Sequence, residues 1–267
     1  MKFLISNYST PWITEPFYVN ATLNMINETS SILDSNQSLY DAFDSFKPDV
    51  FITHAGHISK DLISYLIENK EIKLLISTTG VGKDDAEKLM KFLESNKINY
   101  VFFGQNEIAS SKVKNILIPA GADIFLNRDS KKYSIEKLIF VDSEDQIKEY
   151  GGTYHITSHN TELTNKVDFI MPITMLSNLF SNYNEIVFCG SSYIGTQLSF
   201  DAIYSGTKVT FDTNKNEDLE KIDSIFKKQK LLTSVKAKHT CLNRVKSMLS
   251  QVSKNISSKL ESYIEKL

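Results

Sequence analysis

Two cysteines, Cys189 and Cys241, are all that this 267-residue chain carries, too few for the disulfide framework that staples a small secreted domain. Cys189 ends the apolar run Ile186-Val187-Phe188-Cys189 and reads as a reduced core thiol. No spacing of Cys with His matches a metal site. Charge of one sign is also missing: 30 Lys and Arg stand against 32 Asp and Glu, a formal charge of -2. No basic stripe separates out, which removes bulk attraction to nucleic acid or to an anionic membrane. No apolar stretch approaches the roughly 20 residues that span a bilayer. The opening run Phe3-Leu4-Ile5 is too short for the core of a secretion signal. These absences predict a cytoplasmic protein without a membrane span and without a nucleic-acid partner; nothing in them speaks to oligomeric state.

What is present points to an α/β fold. Hydrophobic residues make up 41% and charged residues 23%, enough to bury a core, and the length suits two small domains. Short β-branched or aromatic runs alternate with segments of helical period, the signature of parallel sheets covered by helices. A first series places strands near residues 2–6, 31–33, 49–53, 73–77, 99–103 and 115–118. Its helices fall near 16–26, 38–45, 60–69 and 83–95. In the last of these Ala86, Leu89, Met90 and Phe92-Leu93 form one apolar stripe. A second series places strands near 137–141, 153–157, 168–171, 185–189 and 208–211, with helices near 144–150, 174–181, 196–205 and 219–228. Polar residues from Asn127 to Lys132 suit a connector. The expected organisation is a Rossmann-like domain over 1–126, a linker over 127–136, a second Rossmann-like domain over 137–230 and C-terminal helices over 231–267.

The segment Phe188 to Val209 is the most informative. A strand runs into the small-residue loop Gly190-Ser191-Ser192-Tyr193-Ile194, a helix starts near Gly195-Thr196, and Gly206 ends it. Free N–H groups and the positive end of the dipole make such a helix start a site for a phosphate. The G-x-G-x-x-G spacing of a dinucleotide loop is absent, and a plain strand-to-helix turn uses the same residues. His54 and His57 flank Gly56 just past a first-series strand, where open α/β sheets bind ligands. A histidine there suits a general base at neutral pH; a backbone-bonded loop histidine is the alternative. His155 and His159 bracket the end of a second-series strand and are candidates for ligand contact, since strand geometry does not bring positions four apart onto one metal. Thr79-Gly80-Val81-Gly82-Lys83 fails as a phosphate loop, because Ser77 and Asp84 stand where the pattern needs Gly and Ser or Thr.

Three segments carry a resemblance. Ser199-Phe200-Asp201-Ala202-Ile203-Tyr204-Ser205-Gly206-Thr207-Lys208-Val209 is similar to the "F-E-A-(L/M)-A-(S/C)-G-x-P-V" segment of GT-B glycosyltransferases, particularly the spore-maturation-type group and relatives among the group 1 enzymes. Ile118-Pro119-Ala120-Gly121-Ala122-Asp123-Ile124-Phe125 resembles their "P-x-G-x-D-x-x-x-F" passage, and Lys238-His239-Thr240-Cys241-Leu242-Asn243-Arg244 their late "H-T-Y-x-x-R" segment. The order is the family's; the N-terminal half matches only in architecture.

The resemblance implies two Rossmann-like domains in the GT-B arrangement, a nucleotide-sugar co-substrate on the second half, a hydroxyl acceptor such as a glycan on the first, and no required cofactor or metal. Asp201 would bind the donor ribose, a role suited to a carboxylate accepting from two adjacent hydroxyls. Gly195 and Thr196 would cradle the diphosphate, with Gly190, Ser192, Tyr193, His155 and His159 around the donor, and His54 or His57 would serve as base. The chain departs from the family where a second acid is frequent, at Tyr193, and where Val141-Asp142-Ser143-Glu144-Asp145 replaces an Arg and Lys pair. The expected activity is glycosyl transfer; a non-catalytic nucleotide-binding protein and a sugar-nucleotide epimerase of the same fold remain as alternatives.

Overall fold

The computed structural model describes residues 1–9, 14–33, 37–79, 81–104, 115–117, 122–125, 135–150, 154–158, 160–163, 165–168, 179–226 and 231–266. The chain divides into two compact units, residues 1–119 together with 242–266, and residues 120–241. The second unit is thus inserted between the N-terminal unit and that unit's own last helices.

In the first unit six parallel strands, β1 (Lys2–Ile5), β2 (Thr29–Ile32), β3 (Val50–His54), β4 (Lys73–Ser77), β5 (Tyr100–Gly104) and β6 (Asn115–Leu117), lie in the order β2-β1-β3-β4-β5-β6. Helices α1 (Glu15–Met25), α2 (Leu39–Phe46), α3 (Lys60–Glu68) and α4 (Lys83–Ser95) make the crossovers. Successive strand residues are buried on both faces, as in Val50, Phe51 and Ile52 or Leu74, Leu75 and Ile76, which is why these strands read as continuous apolar runs. One face packs Leu4, Phe51, Leu74, Ile76 and Phe102 against Phe43, Leu62, Leu66, Met90 and Leu93 of α2, α3 and α4. Pro16 sits in the first turn of α1, where its missing N–H costs nothing, and Ser59 caps α3 by accepting from Leu62 N–H at 3.1 Å.

The described residues of the second unit form four parallel strands, β7 (Ile135–Val141), β8 (His155–Thr157), β9 (Tyr183–Cys189) and β10 (Lys208–Asp212), in the order β10-β9-β7-β8. Its described helices are α5 (Glu144–Tyr150), α6 (Gln197–Tyr204), α7 (Asn216–Phe226) and α8 (Leu231–Lys238). Read from its other edge the order is second, first, third, fourth, the same permutation as the first four strands of unit one. Both units are therefore doubly wound, Rossmann-like sheets.

The strand expected near 168–171 is not seen at its start. Asp168 lies in a bend, where its Oδ2 accepts from Ile156 N–H at 2.6 Å. Residues 169–171, most of the helix expected over 174–181, and the polar segment 127–134 fall outside the described residues.

The C-terminal helices are not one block. α8 belongs to unit two, whereas α9 (Cys241–Leu249) and α10 (Lys254–Ile264) pack with unit one. There Lys259 Nζ donates to Glu28 Oε1 at 2.7 Å and Tyr263 Oη to the Met25 carbonyl at 3.3 Å. Among the described residues no helix is long and apolar enough to cross a membrane.

Candidate functional site

In an open parallel sheet the crevice for a ligand lies outside the carboxyl ends of the strands, where neighbouring connections leave in opposite directions. The strand orders place that point between β1 and β3 in unit one and between β7 and β9 in unit two.

At the first switch point the strand ends are polar. Ser6 and Thr53 hydroxyls pair at 2.8 Å, and a single 3-10 turn, Ala55–His57, follows β3. Gly56 N–H donates to His54 Nδ1 at 3.0 Å, and His54 Nε2 lies 2.8 Å from the Thr79 carbonyl oxygen. An acceptor at Nδ1 and a donor at Nε2 fix one neutral tautomer and occupy both nitrogens. His57 differs: it is exposed, and its ring meets Tyr8 and His54 edge-on with centroids 6.3 and 6.2 Å away. Partial burial is the main cause that lowers its pKa from the ordinary 6.5. Of the two histidines, His57 is the one whose ring nitrogens carry no hydrogen bond among the described residues.

Beneath this turn is a buried ion pair that the sequence did not reveal. Glu15, in the first turn of α1, and Arg244, from α9, are each 4% exposed at the side chain. Arg244 Nε donates to Glu15 Oε2 at 2.7 Å, its Nη2 also reaches that oxygen, and Nη2 donates to Thr79 Oγ1 at 3.2 Å. Tyr8 Oη donates to Glu15 Oε1 at 2.5 Å and Tyr18 Oη to Oε2 at 3.1 Å. Burial pushes the Glu15 carboxyl up. The adjacent Arg244 charge, with hydrogen bonds from Tyr8, Arg244 and Ser77, outweighs burial and holds it below 4.5. Burial, then the Glu15 charge, drives the Tyr8 phenol well above 10.0. Tyr8 thus stays a protonated donor, and the ion pair braces the floor under His54 and His57.

At the second switch point the loop after β9 meets the residue after β7. Ser192 Oγ lies 2.7 and 2.8 Å from the two carboxylate oxygens of Asp142, and the Asp142 and Ser143 N–H groups donate to Gln146 Oε1 at 2.7 and 3.3 Å. Gly190 stands at φ 126° and ψ 150°, backbone essentially restricted to glycine. A Cβ there would lie 2.1 Å from Asp142 Oδ2. Gly190→Ala should therefore destabilise by about 1–3 kcal/mol. Urea unfolding beside Gly206→Ala, which has positive φ but nothing within 4 Å of its Cβ, separates the carboxylate clash from backbone strain; equal losses would exclude the clash.

The other residues expected around the donor sort differently. Thr196 caps α6 itself, accepting from Ser199 N–H at 3.3 Å and donating to the Tyr193 carbonyl at 2.8 Å, and Gly195, at φ 76°, packs under Ile225. Tyr193 is a correction: it is fully buried, its Oη donates to the Val141 carbonyl at 2.8 Å, and its ring packs on Phe140 and Phe188, so no ligand can touch it there. His155 starts β8, in register with Leu138 rather than with the end of β7, and its Nδ1 lies 3.0 Å from Tyr183 Oη. It is therefore well back from the edge the sequence assigned it to. His159 lies outside the described residues.

Asp201 is also a correction. It is 0% exposed, because α6 is buried from Leu198 to Ile203, and its Oδ1 accepts from Asp123 N–H at 2.7 Å. That carboxylate ties α6 to the segment entering unit two. Next to it Ala122 N–H donates to the His239 carbonyl and Cys241 N–H to the Ala122 carbonyl, each at 2.7 Å. The three family-like segments thus meet at one junction where the chain enters and leaves the unit.

His239 stacks on Phe200 at 4.8 Å, and its buried Nδ1 has no hydrogen-bond partner among the described residues. Burial lowers its pKa from 6.5, only partly opposed by the bond to the Ile225 carbonyl, with Lys238 lowering it further. The unfolded chain therefore binds this proton more readily, and stability falls as pH drops below about 6.5 until the folded-state value is passed. Comparing unfolding midpoints across that window in the parent and His239→Gln should show a shallower slope in the variant; identical slopes would exclude His239 as the source.

Among the described residues no group of three His, Cys, Asp or Glu is arranged to hold a metal. Cys189 is buried; burial, then the Asp212 charge, raises its thiol to about 12, so it stays a protonated core thiol. A cavity lined by Phe43, Asp44, Lys47, Asp49, Tyr65 and Ile72 opens at the starts of β3 and β4, the edge opposite the switch point.

Sequence comparison finds no matching protein family and no matching curated protein. Among solved structures the chain is similar to the glycosyltransferase SnogD from Streptomyces nogalater, at 9% identity over 97% of this chain and 94% of that one, TM-score 0.40. It is similar to UDP-GlcNAc 2-epimerase from Methanocaldococcus jannaschii, at 13% identity over 82% and 87%, TM-score 0.39. It is similar as well to the calicheamicin glycosyltransferase CalG4, at 6% identity over 98% and 94%, TM-score 0.38.

Proposed function

We propose that the chain is a glycosyltransferase of the GT-B type that takes a nucleotide-sugar donor on unit two and a hydroxyl acceptor on unit one. The observation that carries this reading is the repeated strand order, which gives each unit a polar switch point. Unit one offers His57, exposed and biased toward the neutral form, which is what abstraction of a hydroxyl proton requires. Unit two offers the turn Ser191–Tyr193, closed by Ile194 N–H on the Ser191 carbonyl at 3.3 Å. In a turn of this kind the leading backbone N–H groups make no hydrogen bond within the turn itself, and backbone donors suit a diphosphate that leaves with the charge of the broken glycosidic bond. The family-like segments from Ile118, Ser199 and Lys238 add support by resemblance.

In the reaction so assigned, His57 accepts the acceptor's hydroxyl proton as its oxygen bonds the anomeric carbon, and the nucleoside diphosphate departs with the electron pair of the C–O bond. A thermal-shift screen of nucleoside mono- and diphosphates tests the donor half: at least one should raise the melting point in proportion to the logarithm of its concentration. A flat response to all of them removes the donor assignment. Conversion of a nucleotide sugar with no acceptor present would instead identify an epimerase.

A further inference from the structure

The loop that leaves β4 carries Thr79-Gly80-Val81-Gly82-Lys83, the segment that fails the phosphate-loop pattern, and its first residue is tied on several sides within unit one. The Thr79 carbonyl oxygen lies 2.8 Å from His54 Nε2. Its hydroxyl accepts from Arg244 Nη2 at 3.2 Å, and Ser77 Oγ lies 3.1 Å from the same oxygen. Arg244 cannot follow a moving loop, because it is buried, bonded to Glu15 through Nε and Nη2, and seated over the Phe103 ring with 5.8 Å to its centroid. The preceding residue is held from β5: Thr78 N–H and Thr78 Oγ1 both donate to the Phe103 carbonyl, at 2.9 and 3.2 Å. Gly104 leaves room for that hydroxyl, since a Cβ there would lie 2.1 Å from Thr78 Oγ1.

Each link from Arg244 to the turn after β3 has a fixed direction. A guanidinium only donates and a carbonyl oxygen only accepts, so the hydrogen of neutral His54 sits on Nε2. The Nδ1 lone pair then faces Gly56 N–H, which donates to it at 3.0 Å and so caps the turn Ala55–His57. Moving the proton to Nδ1 would set two N–H groups against each other there and a lone pair against the Thr79 carbonyl. A Cβ on Gly56 would lie 3.3 Å from Nδ1, so the turn fits closely against the ring. His57 is the next residue, and Tyr8, whose phenol is anchored on Glu15, meets the His54 and His57 rings with centroids 5.6 and 6.3 Å away.

We propose that Thr79 is a positioning residue for His57. Its hydroxyl fastens the loop to the buried Arg244, its carbonyl thereby fixes His54 as the Nε2–H tautomer, and the Nδ1 acceptor so created caps the turn that presents His57. That His57 acts on an acceptor hydroxyl rests on the glycosyl-transfer reading; the tautomer and its dependence on Thr79 do not. The hydroxyl carries the rigidity of a buried ion pair to a side chain at the sheet edge, where a misplacement of about 1 Å can cost roughly 10²-fold in rate.

Long-range proton–nitrogen NMR of the imidazoles reads the tautomers in the full chain, and its first result needs no substitution: in mildly alkaline buffer His54 should be one fixed Nε2–H tautomer. Thr79→Val keeps the shape and removes the hydroxyl, Thr79→Ser keeps the hydroxyl, and Thr79→Ala makes the same deletion with less bulk if the valine variant does not fold. In folded Thr79→Val, checked by circular dichroism, the His54 nitrogens should report a mixture of tautomers. The His57 titration should rise toward 6.5 as its partial burial is lost. Turnover with a nucleotide sugar and an acceptor should fall about 10- to 100-fold with KM for the donor little changed, and Thr79→Ser should restore every reading. A parent His54 protonated at Nδ1, or exchanging between tautomers, overturns the assignment. A folded Thr79→Val that loses stability alone, with tautomer, titration and rate unchanged, overturns it as well. The spectral changes in a protein that transfers no sugar keep the positioning of His57 and remove the transferase reading. Transfer at the parent rate by a Thr79→Val whose His54 has changed tautomer keeps that reading and removes the positioning role.

Discussion

Replacing Arg244 by methionine is expected to cost the fold about 3–5 kcal/mol, the range found when one member of a buried ion pair is removed. The partner left behind is Glu15, with no accessible path to water and its charge favoured only by Arg244 and its hydrogen bonds. Against a total stability of about 5–15 kcal/mol for a domain, this is enough to populate unfolded chain. The double variant Glu15→Met with Arg244→Met should recover part of the loss, since an apolar pair of similar volume removes the orphaned charge. Full recovery is not expected, because Tyr8, Tyr18 and Thr79 each lose a hydrogen-bond partner. The two positions are then strongly coupled, which a double-mutant cycle in urea reads directly. Additive losses would mean that the pair is not acting as a unit. The pH dependence has a definite sign: Glu15 titrates below 4.5 when folded and near 4.5 when unfolded, so its contribution is complete above 4.5 and is lost as pH falls through the folded value.

His57→Gln is expected to lower turnover by about 10²- to 10⁴-fold, the usual contribution of a positioned general base, while leaving nucleotide affinity on unit two intact. His54→Gln should act less directly, because His54 is committed through both nitrogens to Gly56 and Thr79 and shapes the turn that carries His57. If His57 is the base, the rate measured with the parent protein should fall on acidification, since only neutral imidazole accepts a proton. The inflection should lie below 6.5, because partial burial favours the neutral form. A pH–rate profile and steady-state kinetics of the two variants check this. Equal losses in both, with no acid limb in the parent, would remove His57 from the chemistry.

Much of the fold is legible in the sequence because covered parallel strands are continuous apolar runs and their crossovers are amphipathic. The limits of β4, α4 and α5 are those read from Lys73–Ser77, Lys83–Ser95 and Glu144–Tyr150. Strand order is not, since it depends on which strands pair, and without it the switch points cannot be located. Asp142 was visible only as the absence of a basic residue after β7; its meeting with Ser192, fifty positions on, is a product of the β7–β9 pairing. Glu15 and Arg244 are 229 positions apart, beyond any periodicity.

Asp201 is the instructive case. The segment Leu198-Ser199-Phe200-Asp201-Ala202-Ile203 is apolar on nearly every side of a helix, the mark of a buried helix. That signal argued against an exposed ribose ligand, and the burial of α6 agrees with it. Tyr193 followed the same logic: an aromatic between two strand ends finds a core before it finds a ligand.

Transfer from a nucleotide sugar releases both a free nucleotide and a glycosylated product, and both can be followed. The parent protein and His57→Gln would each be incubated with uridine-, guanosine-, thymidine- and cytidine-linked sugars and a mixture of glycan acceptors, following free nucleotide and glycosylated product by mass spectrometry. The expected result is acceptor-dependent release of one nucleotide by the parent, with stoichiometric product, strongly reduced in His57→Gln. Absence of nucleotide release from every donor, or release unaffected by His57→Gln, would contradict it.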